Sequence, residues 1–169
     1  INSPKAHQAN LRELEARYGS KVTFFNFKNK RQGWTRLGTL VRFQNGQEDF
    51  TDRDTSAWTK GYIRYNLYMR PSCEHCKFKK IPRISDISLG DFWGMPSEAE
   101  NLEKGVSLVM VNTEKGRRFY QKTLPLLHSA PSDLQTAISG NRCIVECPQF
   151  NHKKRAQFFR YVDSEPFSH

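Results

Sequence analysis

Asn45-Gly46 constrains this chain more than any other short signal in it. The dipeptide follows two runs rich in β-branched and aromatic residues, 21–27 and 35–43. Asn-Gly readily adopts the backbone angles of a tight hairpin, so residues 35–43 (TRLGTLVRF) and 47–51 are expected to pair antiparallel. Residues 21–27 (KVTFFNF) supply another strand of that small unit. Before it, Leu11, Leu14 and Tyr18 recur at helical spacing between charged residues, predicting a helix over 4–18 that ends at Gly19. After it, residues 55–69 carry Trp58, Tyr62, Ile63, Tyr65, Leu67 and Tyr68 all round a helical wheel, with Gly61 among them, and read as a well-buried helix. Residues 105–111 (GVSLVMV) form a core strand, 112–116 a polar turn, and 114–127 a helix closing near Pro125. Two helices follow, over 131–139 and 152–162. The last sets Lys153, Lys154, Arg155 and Arg160 against Phe158, Phe159 and Val162. The expected class is α/β, more exactly mixed α+β: a single domain over 1–169 with a mixed sheet flanked by helices.

Its 169 residues suffice for one ordinary core. Lys and Arg number 27 against 17 Asp and Glu, a net charge of +10 that points to an anionic partner. No apolar run approaches the roughly 18 residues of a membrane span, and no secretory leader precedes the first charged residues. The chain opens on Ile1, and the expectation is a soluble cytoplasmic piece of a longer protein. Four cysteines without a leader favour metal or redox chemistry in a reducing compartment over a disulfide framework.

Cys73-Glu74-His75-Cys76 has the C-x-x-C spacing that lets two thiolates reach one metal or cluster. It is half a site. Cys143 and Cys147 form a second pair, but they lie much further along the chain than the about 15–20 residues of a zinc ribbon. Three arrangements stay open: zinc held across both pairs, a cluster completed by cysteines outside the chain, or free thiols. Cys143 and Cys147 also read simply as small hydrophobes at a helix–loop junction. Further on, Asp86-Ile87-Ser88-Leu89 is a short strand running into Gly90-Asp91-Phe92-Trp93-Gly94. There, two glycines permit close backbone approach to a flat ligand and two aromatics could wall it; a tight turn over core aromatics is the plainer reading.

Three segments together resemble a known family: Arg70-Pro71-Ser72-Cys73 to Cys76-Lys77-Phe78, then Ser85-Asp86-Ile87-Ser88-Leu89-Gly90-Asp91-Phe92-Trp93-Gly94, then Lys104-Gly105-Val106-Ser107-Leu108-Val109 to Asn112-Thr113-Glu114-Lys115-Gly116. In order and spacing they look like the C-terminal domain of the coenzyme F420 hydrogenase/dehydrogenase beta-subunit family. Phe27-Lys28-Asn29-Lys30 with Gly33-Trp34 resembles that family's F-R-D-K…G-W stretch, departing from it at Lys28 and Asn29. The resemblance implies part of an iron–sulfur flavoprotein oxidoreductase. Such a protein passes electrons between a 4Fe-4S cluster, FAD and a deazaflavin-like acceptor such as coenzyme F420, or an unknown one. Cys73 and Cys76 match the family's cluster cysteines. Lys30, Gly33 and Trp34, with Gly90, Asp91, Phe92, Trp93 and Gly94, match segments placed around the flavin or cluster. No catalytic residue is implied.

The implied partners are the upstream part of the same protein, with its ferredoxin-like region, and a ferredoxin-like electron carrier. Lys30, Arg31 and Arg36 are candidates for a cationic pocket for FAD, whose pyrophosphate is anionic. Cys143 and Cys147 match no family cysteine motif, so the fragment supplies half a ligand set and is expected to be inactive alone. A second reading, a zinc-dependent basic module binding nucleic acid, rests on the charge, the aromatics and four cysteines at one zinc. The ordered motifs outweigh it.

Overall fold

A computed structural model describes residues 2–95 and 102–168. Its class is mixed α+β, with helices and two small sheets. The strands form two antiparallel sheets, of three and two strands, where one mixed sheet was expected. The first sheet contains a hairpin, and within the described residues neither sheet has the helical crossover that parallel pairing requires. Among the described residues no helix is long and apolar enough to cross a membrane. The chain divides into two compact units, Ile1–Glu74 with Pro148–His169, and His75–Cys147.

The first unit opens with α1, Pro4–Tyr18, the helix that the periodicity predicts. Ser3 Oγ accepts the Ala6 N–H at 3.5 Å, and Pro4 occupies the position where a missing donor costs nothing. Gly19, at φ 59°, ends the helix with a left-handed cap. Leu14 packs into a buried cluster with Val41 and Phe43. The sheet runs in the order β1 (Val22–Asn29), β2 (Gly38–Phe43), β3 (Glu48–Asp52). The expected hairpin joins β2 and β3: Gly46 N–H donates to the Phe43 carbonyl, and Gly46 takes φ 85°. Phe43 N–H then reaches the Gln47 carbonyl at 3.0 Å, the pattern of a tight turn with a glycine bulge. β2 is the central strand, and of its six residues only Arg42 is exposed. The buried Thr39 hydroxyl is satisfied by those of Ser56 and Thr59, at 3.1 and 3.3 Å.

The helix expected over 55–69 is much shorter. α2, Ala57–Thr59, passes directly into a single π-helical segment, Lys60–Arg64, and Asn66 turns the chain at φ 50°. Tyr68 explains the break. Its ring fills the space that a Cβ on Gly61 would need, and its hydroxyl donates to the Trp58 carbonyl, so the segment folds back on itself. Trp58 and Tyr68 stack at 4.7 Å in a core with Ala6, Ala9, Val162 and Phe167. The burial expected all round this segment holds for one side only; Ile63 and Tyr65 are exposed. α5, His152–Tyr161, brings Phe158 and Phe159 against that core.

In the second unit β4 (Ile87–Asp91) pairs with β5 (Ser107–Val111), followed by α3 (Glu114–Thr123) and α4 (Leu134–Gly140). Phe92, Ala137 and Ile144 form its core, with Leu108 and Met110 from the inner face of β5. α3 ends at Thr123, and a 3-10 turn, Leu124–Leu126, accommodates Pro125.

Candidate functional site

The cysteine segment is built by local backbone chemistry. Arg70 is extended, as a residue before proline tends to be, and Pro71 opens a 3-10 turn, Pro71–Cys73. Cys73 N–H donates to the Arg70 carbonyl at 2.9 Å. Glu74 anchors this end of the first unit: its Oε1 accepts the Phe150 N–H at 3.1 Å and lies 3.2 Å from His152 Nε2. The division between the two units falls after Glu74, so Cys76 belongs to the second.

There Cys76 has a neighbour from the second cysteine pair, which the residue pattern left as one of three open arrangements. The Cys147 thiol donates to the Cys76 carbonyl at 3.7 Å, across 71 positions of sequence. Two cationic side chains fasten the same two segments together. Lys79 Nζ donates to the Cys143 carbonyl, and Arg83 donates to the carbonyls of Phe78 and, at 2.6 Å, Ile144. Cys143 is exposed, whereas Cys73, Cys76 and Cys147 are half-buried, and all four thiols are free. The reading of Cys147 as a plain packing residue misses this approach, since no local pattern records a contact made by side chains on a distant loop.

The thiols have the right chemistry for an iron–sulfur or other soft metal centre: soft donors, not paired in a disulfide and partly accessible. Lys77, Lys79, Lys80 and Arg83 place positive charge along the same loop, which suits an anionic thiolate centre. Among the described residues no three His, Cys, Asp or Glu side chains gather as a metal shell, so these residues fit part of one.

The segments expected around a flavin fall in different units. Lys30, Gly33 and Trp34 lie on the loop between β1 and β2. Gly33 N–H donates to the Lys30 carbonyl at 2.9 Å, and Gly33 sits at φ 95°. Lys30 is exposed and Trp34 buried. Of the cations proposed for a pocket, Arg31 is committed to Glu48 and lies over the Phe50 ring, while Arg36 is exposed. Hydrogen bonds from Arg31 and Arg42 hold the Glu48 carboxyl below its ordinary range.

Gly90, Asp91, Phe92, Trp93 and Gly94 lie at the end of β4. Gly90 is exposed, and a Cβ there would meet nothing. Phe92 is a core residue, packed with Ala137 and Ile144, while Asp91 and Trp93 are half-buried. Gly94, at φ 91°, has a packing reason: a Cβ there would fall 2.8 Å from Gly140 Cα, and one on Gly140 would overlap the Trp93 carbonyl. This turn thus lies backbone to backbone against the end of α4.

The remaining family-like motif, Asn112 to Gly116, proves to be a clasp. Asp86 accepts the Thr113 hydroxyl at 2.6 Å and pairs with Lys115 at 3.2 Å, which holds its carboxyl below the ordinary range. Thr113 caps α3 by accepting Gly116 N–H at 3.1 Å. Gly116 is buried against the Asp86 carbonyl, which a Cβ there would overlap. Asn112 accepts the Arg83 N–H at 3.3 Å and donates to Ser88 Oγ and the Met110 carbonyl, both at 3.2 Å.

The first unit also contains a cleft of about 610 Å³, lined by Tyr65, Tyr68, Phe158 and Tyr161 and by the lysines Lys60 and Lys154. Lys154 Nζ lies 5.5 Å from the Tyr65 ring centroid. Sequence periodicity gives no sign of this cleft, because it depends on the fold-back at Gly61.

An α+β chain with a free C-x-x-C and a basic loop after it has the features of a redox or metal-binding module. Residues 2–126 match the family model that describes the C terminus of the coenzyme F420 hydrogenase/dehydrogenase beta subunit. The chain belongs to that family, and with it to the oxidoreductases. No curated protein and no solved structure matches the chain.

Proposed function

We propose that the chain is the C-terminal domain, of F420 hydrogenase/dehydrogenase beta-subunit type, of a longer iron–sulfur flavoprotein. That protein passes electrons between a 4Fe-4S cluster, FAD and a deazaflavin-like or other acceptor. The observation that carries this reading is family membership over a stretch containing the free C-x-x-C thiols. Cys73 and Cys76 would hold the cluster, with further ligands from the upstream ferredoxin-like region. FAD would supply two-electron hydride chemistry and the cluster one-electron transfer.

Lys30 offers an exposed cation to an anionic cofactor, on a loop shaped by Gly33 and Trp34. In the second unit Gly90, Asp91 and Trp93 would line the flavin or cluster site, on a turn held by Phe92 in the core and by Gly94 against Gly140. The net charge of +10 suits these anionic cofactors and an acidic, ferredoxin-like carrier in the cytoplasm.

The test is cofactor content. Protein containing this chain, purified anaerobically, should hold iron, acid-labile sulfide and FAD, with iron lost in Cys73→Ser and Cys76→Ser. Protein with neither iron nor flavin would overturn the reading.

A further inference from the structure

We propose that Cys147 is a ligand to the same soft metal centre as Cys76, so that the second unit contributes two ligands from distant segments. The inference rests on the reading of Cys76 as a cluster cysteine and extends it to a residue outside the C-x-x-C.

The argument begins with distance. Cys147 Sγ lies 3.7 Å from the Cys76 carbonyl oxygen. By covalent geometry a cysteine's sulfur is within about 4.5 Å of its own carbonyl oxygen, which bounds the two sulfurs at roughly 8 Å apart. Two thiolates on a tetrahedral ion with metal–sulfur bonds of about 2.3 Å are roughly 3.8 Å apart, and a cluster spreads them further. A change of χ1 rotamer moves a cysteine sulfur by about 3 Å, so rotation of both side chains covers the difference.

The approach is also enforced. Lys79 and Arg83, both on the loop after Cys76, bond the backbone carbonyls of Cys143 and Ile144. Asn112 holds the Arg83 backbone, and Ile144 is buried with Phe92 and Ala137. The loop carrying Cys76 and the segment leading to Cys147 are therefore tied to one core. Accessibility separates the two late cysteines: Cys143 is exposed, and Cys147 is half-buried like Cys76. Partial burial restricts access of oxidants and water while leaving the sulfur reachable, which suits a lasting thiolate ligand. Ligation proceeds with loss of the thiol proton to solvent and formation of a sulfur–metal bond, leaving the sulfur's oxidation state unchanged.

Cobalt(II) titrated anaerobically into the full chain tests this through the thiolate-to-cobalt charge-transfer band. Cys76→Ser and Cys147→Ser should each weaken binding at least about tenfold and lower the band's intensity, while Cys143→Ser should match the native chain. Cys147→His, which keeps a ligand, should restore affinity without the lost thiolate intensity. A measurement needing no variant stands beside these: cobalt should slow alkylation of Cys76 and Cys147, read by mass spectrometry, and leave Cys143 reactive. Loss confined to Cys76→Ser, with Cys147 alkylated at the same rate, overturns the inference and leaves Cys76 as a ligand. A native chain that binds no cobalt, or one insensitive to every substitution, overturns the inference together with the assignment of Cys76.

Discussion

Replacing Gly140 with alanine should destabilise the second unit, although the same change in most helices does the opposite. Gly140 is the last residue of α4, and alanine in a helix is ordinarily favoured over glycine by about 0.5–1 kcal/mol. Here the added methyl would land on the Trp93 carbonyl, a backbone group that cannot rotate away. Overpacking of this kind costs about 1–3 kcal/mol, so the net expectation is a loss of about 1–2 kcal/mol. Gly94→Ala should cost more. Its φ of 91° is strained for a residue with a Cβ, by about 1–2 kcal/mol, before the 2.8 Å approach to Gly140 Cα is added. Because both methyls enter the same gap, the double variant should lose less than the sum. Urea unfolding with an unchanged slope gives these values directly. An increase in stability for Gly140→Ala, by the ordinary helix preference, would refute the reasoning and leave ligand approach as the reason for Gly94.

Gly116→Ala should be destabilising for the same reason, since its methyl would meet the Asp86 carbonyl; Thr113→Ala, which removes both the helix cap and the hydroxyl's bond to the Asp86 carboxylate, should cost at least about 1 kcal/mol, and an unchanged urea midpoint in either variant would contradict the clasp. Burial pushes the Tyr68 phenol far above its ordinary range. A raised folded-state pKa means that the contribution to stability is intact below the ordinary phenol value of about 10 and is lost as pH rises beyond it. Absorbance titration should therefore show Tyr68 ionising only with unfolding, and a Tyr68→Phe chain should lose that part of its alkaline sensitivity. Asp86 behaves in the opposite sense, with its depressed pKa keeping the clasp closed above the ordinary carboxylate range and releasing it as pH falls through the lower value. An NMR titration that placed Asp86 at an unshifted value would count against the Thr113 and Lys115 contacts.

What the sequence made legible depended on whether the controlling interactions were local. α1 was readable to its ends because Pro4 and Gly19 act through their own backbone angles, as does Gly46 in the hairpin. Residues 55–69 were misread because apolar residues all round a wheel do not distinguish a long helix from a short one folded back by Tyr68 against Gly61. The motif of Asn112 to Gly116 was visible as a resemblance, but its role as a clasp on Asp86 required the register of β4 and β5. Cys147 was the hardest to see. Its place beside Cys76 is set by Lys79 and Arg83 bonding to carbonyls some 60 positions away, and backbone acceptors carry no residue signature.

The most direct test of the central claim is electron paramagnetic resonance of the dithionite-reduced, anaerobically purified protein containing this chain, with and without Cys76. The account predicts the signal of a reduced cubane cluster in the native protein and its loss in Cys76→Ser, with the fold retained. A folded, flavin-free protein that gives no such signal, or an unchanged signal in Cys76→Ser, would contradict it.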